Sequence, residues 1–206
     1  MNHLAPTIGN ASVYSPLVSD GYQPITPPSI SHASLINPNT LTQPLTDGFA
    51  RRLTYLRLSI TDFCNFRCEY CLPNGYQGKR PDDELSVPEI ATLIRGFAQV
   101  GTQKVRITGG EPSIRRDVVE IIQTIKQTAG IETVAMTSNG YKLGKHLANW
   151  QAAGLNQLNI SMDSFDASTF HKMTGFDTLP QLMTDMDKLL ETTDIKLKIN
   201  SILMAE

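Results

Sequence analysis

From Leu53 onward, five short segments with alternating apolar and polar residues are separated by longer segments with helical patterning. The expected strands are 55–60, 104–108, 133–137, 157–161 and 195–201, and the expected helices are about 87–100, 117–128, 143–153 and 178–192. This repeat favours an α/β fold with a parallel sheet, because parallel neighbours need a long crossover connection. An antiparallel sheet with one solvated face is the less favoured alternative.

The expected strands carry a polar face, whereas buried parallel strands are usually apolar on both faces. If helices cover the apolar face, the polar face must look into a wet or ligand-filled space. A whole or partial (β/α) barrel of parallel strands with outer helices provides that space, with its functional site at the C-terminal ends of the strands. Arg57, Arg106 and Lys198 share the polar face, so an anionic ligand is predicted, and the guanidinium suits phosphate.

The first 50 residues contain no Lys, Arg or Glu and hold seven of the twelve prolines. Such a segment buries too little apolar surface to offset its ordering entropy, which predicts a disordered Pro/Ser/Thr-rich extension over 1–45 and a folded domain over 46–206. The extension lacks the charged and apolar regions of a secretory signal.

A net charge of -2 argues against a strongly basic nucleic-acid binder. With no apolar run of about 18 residues, the expectation is a cytoplasmic protein without nucleic-acid or membrane partners.

All three cysteines, Cys64, Cys68 and Cys71, lie in a C-x3-C-x2-C motif directly after the first expected strand. An odd number argues against a closed disulfide framework and for a reducing compartment. Zinc usually takes four ligands, and the nearest histidines, His32 and His146, are far along the chain, which makes zinc the less favoured metal. Three thiolates at this spacing fit three corners of a cubane iron–sulfur cluster, whose fourth iron stays open.

The cysteine motif, with Tyr70 before its last Cys, resembles the radical S-adenosylmethionine (SAM) superfamily. A Gly-Gly-Glu-Pro stretch at 109–112 resembles the superfamily segment that meets the amino end of SAM, and glycine lets backbone approach a ligand. The resemblance implies a partial barrel of radical SAM type in which the three cysteines hold a [4Fe–4S] cluster that binds SAM. It also implies that Tyr70, Gly110 and Ser161 contact SAM.

Six further stretches are similar to one member family, the GTP 3′,8-cyclases of molybdenum cofactor (molybdopterin) biosynthesis. These stretches are LTDGFAR (45–51), YLRLSITD (55–62), RITGGEP (106–112), RRD (115–117), SNGY (138–141) and SMDS (161–164). The resemblance runs from about residue 42 to the end of the chain. It implies a lyase that converts GTP to (8S)-3′,8-cyclo-7,8-dihydroguanosine 5′-triphosphate through a 5′-deoxyadenosyl radical.

By the same resemblance, the GTP-contacting positions are Arg57, Arg106, Thr137 and Lys198, all on the polar strand face. An electron donor is implied as a partner, and a homodimer is allowed. Ser138 departs from the family, which commonly has Thr there. The family also carries a C-terminal region with a second three-cysteine set. This chain ends at Glu206 without one, so we expect a truncated form that holds one cluster and does not complete GTP cyclisation.

Two other functions stay open from the residues. One is a different radical SAM enzyme of the peptide-modifying or maturase type, which would share the cysteine motif and the Gly-Gly-Glu-Pro stretch. The other is a non-catalytic fragment that binds an iron–sulfur cluster or SAM without cleaving it.

Overall fold

The computed structural model describes residues 43–79 and 84–203. Most of the predicted extension, residues 1–42, therefore lies outside the described residues. The chain divides into two units, Met1–Asn37 and Pro38–Glu206, and all described residues belong to the second. The strands of this unit are β1 (Tyr55–Ser59), β2 (Lys104–Thr108), β3 (Thr133–Ser138), β4 (Gln157–Ser161) and β5 (Lys196–Asn200). Its helices are α1 (Val87–Gln99), α2 (Val118–Gln127), α3 (Leu143–Ala152), α4 (Ala167–Thr174) and α5 (Leu179–Thr192), with a 3-10 turn at Pro112–Ile114.

The five strands form one parallel sheet in the order β1-β2-β3-β4-β5. Each strand lies beside the next one in the chain, as in a (β/α) barrel, and a helix follows each of the first four. The sheet order confirms the predicted partial barrel of parallel strands and removes the antiparallel alternative.

The apolar face of the sheet is the buried face. Val105, Ile107, Val134, Met136, Leu158 and Ile160 are fully buried and belong to one core with helix residues such as Ile94, Ile121 and Trp150. Burial of this apolar surface drives the packing of the helices on the sheet, at about 25 cal/mol per Å². The polar residues that alternate with the core residues are therefore left on the opposite face.

The predicted bounds agree with the observed strands and helices to within one or two residues. The first helix begins as expected, because Glu89 accepts hydrogen bonds from Ser86 N (2.8 Å) and Ser86 Oγ (2.6 Å). Helix α4 was not predicted. Its eight residues include only two large apolar positions at helical spacing, Phe170 and Met173, and tertiary packing of these buried side chains stabilises it.

Among the described residues, no helix has both the length and the apolar character needed to cross a membrane.

Candidate functional site

The loop after β2 packs directly against the start of the loop after β1. Gly110 N donates to Thr61 O at 2.7 Å, and Glu111 N donates to Phe63 O at 2.8 Å. A Cβ on Gly109 would lie 2.3 Å from Thr61 O, and one on Gly110 would lie 2.3 Å from Phe63 O. Both glycines are therefore required for contact between the two loops, in addition to the approach to a ligand that the motif predicts.

Glu111 is a buried carboxylate that connects two loops. Its oxygens accept hydrogen bonds from Ser113 N (2.9 Å), Ser138 Oγ (2.8 Å) and Asn139 N (2.6 Å). Burial raises the pKa of Glu111, and the hydrogen bonds, led by that from Asn139, oppose the rise. Asn139 Nδ2 in turn donates to Asn65 Oδ1 at 3.0 Å. The network therefore extends from the β2 loop through the β3 loop to the residue that follows Cys64.

Helix α4 and the residues after it hold the segment from Phe66 to Glu69, which contains the second cysteine. Phe66 is buried, stacks on Phe176 with ring centroids 4.6 Å apart and meets Phe170 edge-on at 6.4 Å. The backbone N–H groups of Arg67 and Glu69 donate to carbonyl oxygens in the last turn of α4, at 3.1 and 2.9 Å. The unpredicted helix is therefore part of the support for the cysteine motif.

The three cysteines lie on one loop and are free thiols. Cys64 and Cys68 are half-buried and Cys71 is exposed. Burial raises the pKa of Cys64, and raises that of Cys68 to about 11, with smaller contributions from the other cysteines. Negative charge on one thiol therefore disfavours ionisation of the next, as for like charges that share a site.

The fit of an iron–sulfur cluster can be tested on the residues around the thiols. Within residues 43–79 and 84–203, no three His, Cys, Asp or Glu side chains form a group that could hold one metal ion. A cubane needs a different arrangement, since each of its thiolates binds a different iron. Asn65 Nδ2, beside Cys64, is buried and has no hydrogen-bond partner among these residues. A buried donor beside thiolate ligands fits a cluster, whose sulfurs accept hydrogen bonds.

Tyr70 connects the cysteine loop, which follows β1, to the loop that follows β4, three strands away in the sheet. Its hydroxyl donates to Asp163 Oδ2 at 2.7 Å, in the loop after β4. Burial, and then the hydrogen bond to Asp163, raise the pKa of Tyr70, so the phenol remains protonated as a donor. Ser161 is half-buried at the end of β4, beside Asn200 of β5. The predicted SAM-contacting positions Tyr70, Gly110 and Ser161 are thus distributed over loops and strand ends at the C-terminal edge of the sheet.

The four predicted GTP-contacting residues lie on the polar face. Arg57 is beside Arg106 in the β1–β2 register, while Asn159 of β4 separates Thr137 from Lys198. Arg106 Nε donates to the Tyr55 hydroxyl at 2.7 Å, and Arg106 Nη1 donates to Thr137 Oγ1 at 3.4 Å. Arg57 and Lys198 are exposed and have no ion-pair partner among the described residues.

Two further lysines, Lys104 and Lys196, lie on the same face and were not predicted as site residues. Lys104 Nζ donates to Gln157 Oε1 at 2.6 Å. Burial lowers the pKa of Lys104, as do Arg106, Lys196 and Lys198. Strand alternation in the sequence is enough to place both lysines on the polar face, so the sequence contained the information needed to include them. No Asp or Glu lies on this face of the five strands, so its charge is wholly positive.

A family model described as the radical SAM superfamily matches residues 58–203. The chain is 52% identical over 164 residues to a GTP 3′,8-cyclase of Pectobacterium atrosepticum, which covers 79% of this chain and 50% of that protein. It is 48% identical over 164 residues to a GTP 3′,8-cyclase of Pasteurella multocida, with 79% of this chain and 49% of that protein covered. The chain therefore spans about half the length of these relatives.

Solved structures share the fold at low sequence identity. The crystal structure of Streptococcus suis SuiB bound to S-adenosylmethionine superposes with a TM-score of 0.63 at 16% identity, over 74% of this chain and 35% of that one. At that identity the likeness concerns the fold alone, and it agrees with the partial barrel described above.

Proposed function

This chain belongs to the radical SAM superfamily, and from that premise we propose that it binds one [4Fe–4S] cluster, SAM and GTP and cleaves SAM. These steps are part of the conversion of GTP to its 3′,8-cyclised product, which we do not expect this chain to complete alone. Cys64, Cys68 and Cys71 are the proposed cluster ligands. Tyr70, Gly110 and Ser161 are the proposed SAM contacts. When bound, the cluster would supply the electron for reductive cleavage of SAM, so that the radical chemistry would come from these cofactors and not from a side chain. An external one-electron donor is a further proposed partner.

The residues of the chain position the reactants in this proposal. The Glu111 network and the Gly109–Gly110 contact bring the β2 and β3 loops against the cysteine loop, where SAM would bind beside the thiolates. Asn65 Nδ2 is available as a donor toward the ligands of this site. The half-buried position of Cys64 and Cys68 limits their contact with water, and exclusion of solvent suppresses side reactions of a reactive intermediate.

The observation that supports GTP as the substrate is the acid-free polar face, with Arg57, Arg106 and Lys198 below the C-terminal loops. Its positive charge suits a triphosphate, and two of its cations are guanidinium groups that bind phosphate in a bidentate manner. The Tyr55 hydroxyl and Thr137 orient one of them, Arg106. The similarity to GTP 3′,8-cyclases at 52% identity supports the same substrate.

Anaerobic reconstitution of the 206-residue chain tests the cluster and SAM. We expect about four irons per chain, visible absorption that is lost on mutation of all three cysteines to serine, and 5′-deoxyadenosine after addition of dithionite and SAM. A folded, reconstituted chain that retains no iron would contradict the proposal. Iron without 5′-deoxyadenosine would favour the non-catalytic alternative.

Equilibrium binding tests the substrate. We expect GTP to bind, and Lys198→Met to weaken that binding by about tenfold, since a charge-assisted contact contributes roughly 1.5 kcal/mol. Lys188→Met, on the exposed side of α5, is the matched control and should leave binding unchanged. Equal GTP affinity in the two variants would contradict the assignment of the polar face. The complete reaction is tested separately: we expect no cyclised product from the 206-residue chain alone, and formation of that product would contradict this expectation.

A further inference from the structure

The cysteine loop follows β1, which lies at one edge of the described sheet, so hydrogen bonds to the sheet hold it from one side only. Its Cys64 end has additional support from Asn65, whose side chain accepts from Asn139, and from the buried ring of Phe66. Its Cys71 end is exposed. Tyr70, directly before Cys71, reaches across the strand ends to Asp163, in the loop after β4.

Asp163 is itself held in place. Its Oδ1 accepts from Ile202 N at 2.8 Å, while Oδ2 accepts from the Tyr70 hydroxyl at 2.7 Å. Both oxygens are acceptors, as in an ionised carboxylate. The preceding residue, Met162, donates from its N–H to Asn200 O at 2.9 Å and accepts from Ser201 Oγ at 2.6 Å. The β4 loop is therefore fixed to the end of β5 by hydrogen bonds that do not involve Tyr70.

We propose that Asp163 is a positioning residue that fixes the Cys71 end of the cysteine loop through Tyr70. A hydrogen bond to a charged acceptor that is already fixed restricts the loop more than a hydrogen bond to a mobile side chain does. The fixed acceptor loses no further conformational entropy when the bond forms. Through this contact the end of β5, four strands away from β1 in the sheet, determines where the third thiol lies. Resemblance to the family predicted a ligand contact for Tyr70 and no role for Asp163.

The contact has a consequence for the metal-free chain that does not depend on the proposed function. Tyr70→Phe keeps the ring and removes the donor, and Asp163→Asn keeps the size and removes the charge. Either change should speed amide hydrogen exchange in the segment 68–76 by about fivefold, since a hydrogen bond to a charged group no longer opposes local opening. Exchange in β2 and β3 should not change, and neither should the segment around Cys64.

Two control variants separate this effect from general loss of stability. Asp187→Asn removes an exposed carboxylate on α5, and Tyr141→Phe removes a hydroxyl from a half-buried ring in the β3 loop. Neither should alter exchange in 68–76. The double variant Tyr70→Phe/Asp163→Asn should match the faster single variant, because both changes remove one interaction. Additive effects, or unchanged exchange in both single variants, would overturn the proposal.

The role in positioning the thiols rests on the proposed cluster and is tested on reconstituted protein. Tyr70→Phe and Asp163→Asn should lose the cluster to a chelator several-fold faster than the wild type, and should change the electron paramagnetic resonance signal of the reduced cluster with SAM. A role confined to folding would change neither at a temperature where all variants are folded. If the wild type takes up no iron, the proposed function fails while the exchange result still stands. If the wild type holds the cluster and both variants release it at the wild-type rate, the positioning role fails alone.

Discussion

The buried carboxylate of Glu111 accepts a hydrogen bond of 2.8 Å from Ser138 Oγ, joining the loop after β2 to the last residue of β3. Glu111 also binds two backbone N–H groups, so one side chain satisfies three donors in a place where water is excluded. Glu111, which lies in the Gly-Gly-Glu-Pro stretch next to the predicted SAM contact Gly110, thus holds the loops together.

Replacing Glu111 should destabilise the chain strongly. Glu111→Ala leaves buried donors without an acceptor, and we expect the free energy of unfolding to fall by about 3 kcal/mol. The measurement is urea unfolding followed by the fluorescence of Trp150, the single tryptophan, which is fully buried. Glu191→Ala, at an exposed position on α5, should change the free energy by less than about 0.5 kcal/mol. Equal effects of the two changes would show that the network is not stabilising.

Replacing Phe66, the buried ring of the cysteine loop, should lower the free energy of unfolding about as much as replacing Glu111. Phe66→Ala removes a ring that contacts Phe170 and Phe176, and the expected cost is about 3–5 kcal/mol. Phe66→Leu refills part of the volume and should cost less. Phe165→Ala is the comparison, since that ring is 66% exposed. The same unfolding assay measures all three variants. If Phe66→Ala lowers the free energy of unfolding no more than Phe165→Ala does, the packing of Phe66 does not stabilise the loop.

Gly110 should not tolerate a side chain. The added Cβ would lie 2.3 Å from Phe63 O and 2.6 Å from Asp62 O, and these backbone atoms cannot rotate away as a side chain could. We expect Gly110→Ala to cost about 1–3 kcal/mol and to weaken SAM binding, because the β2 loop must shift from the cysteine loop. Gly48→Ala meets no atom within 4 Å and is the matched control. Calorimetry of unfolding and SAM titration measure the two effects, and a Gly110→Ala chain with wild-type values would contradict the close approach.

As the pH is raised, anion binding at the polar face should begin to weaken at a lower pH than it would if Lys104 had the pKa of an ordinary lysine. Burial and the neighbouring cations lower the pKa of Lys104 from 10.5, and only its protonated form attracts an anion. Affinity for inorganic tripolyphosphate should therefore fall as pH rises through this lowered pKa. Lys104→Arg keeps its charge above pH 12 and should remove that part of the decline, whereas Lys188→Arg should not. Identical pH profiles for the wild type and Lys104→Arg would exclude Lys104 from the anion site.

Much of the fold could be predicted from strand alternation. In the first expected strand, Leu56, Leu58 and Ile60 recur at period two beside polar neighbours, and helical segments separate every pair of strands. Alternation predicted the strands and the residues of the polar face, because it is a property of the extended backbone itself. The long helical connections predicted that the strands are parallel. Helix α4 escaped prediction, since its formation depends on packing around Phe170 more than on its own eight residues.

The chain by itself also determined the candidate ligands, because three cysteines at C-x3-C-x2-C spacing and a Gly-Gly-Glu-Pro stretch are local patterns. The tertiary structure alone decided which residues support them. Asn65 and Asn139 are 74 positions apart, and Tyr70 and Asp163 are 93 apart, yet each pair shares a hydrogen bond. Such contacts have no local signature, since they exist only after a parallel sheet has brought the C-terminal ends of its strands to one edge.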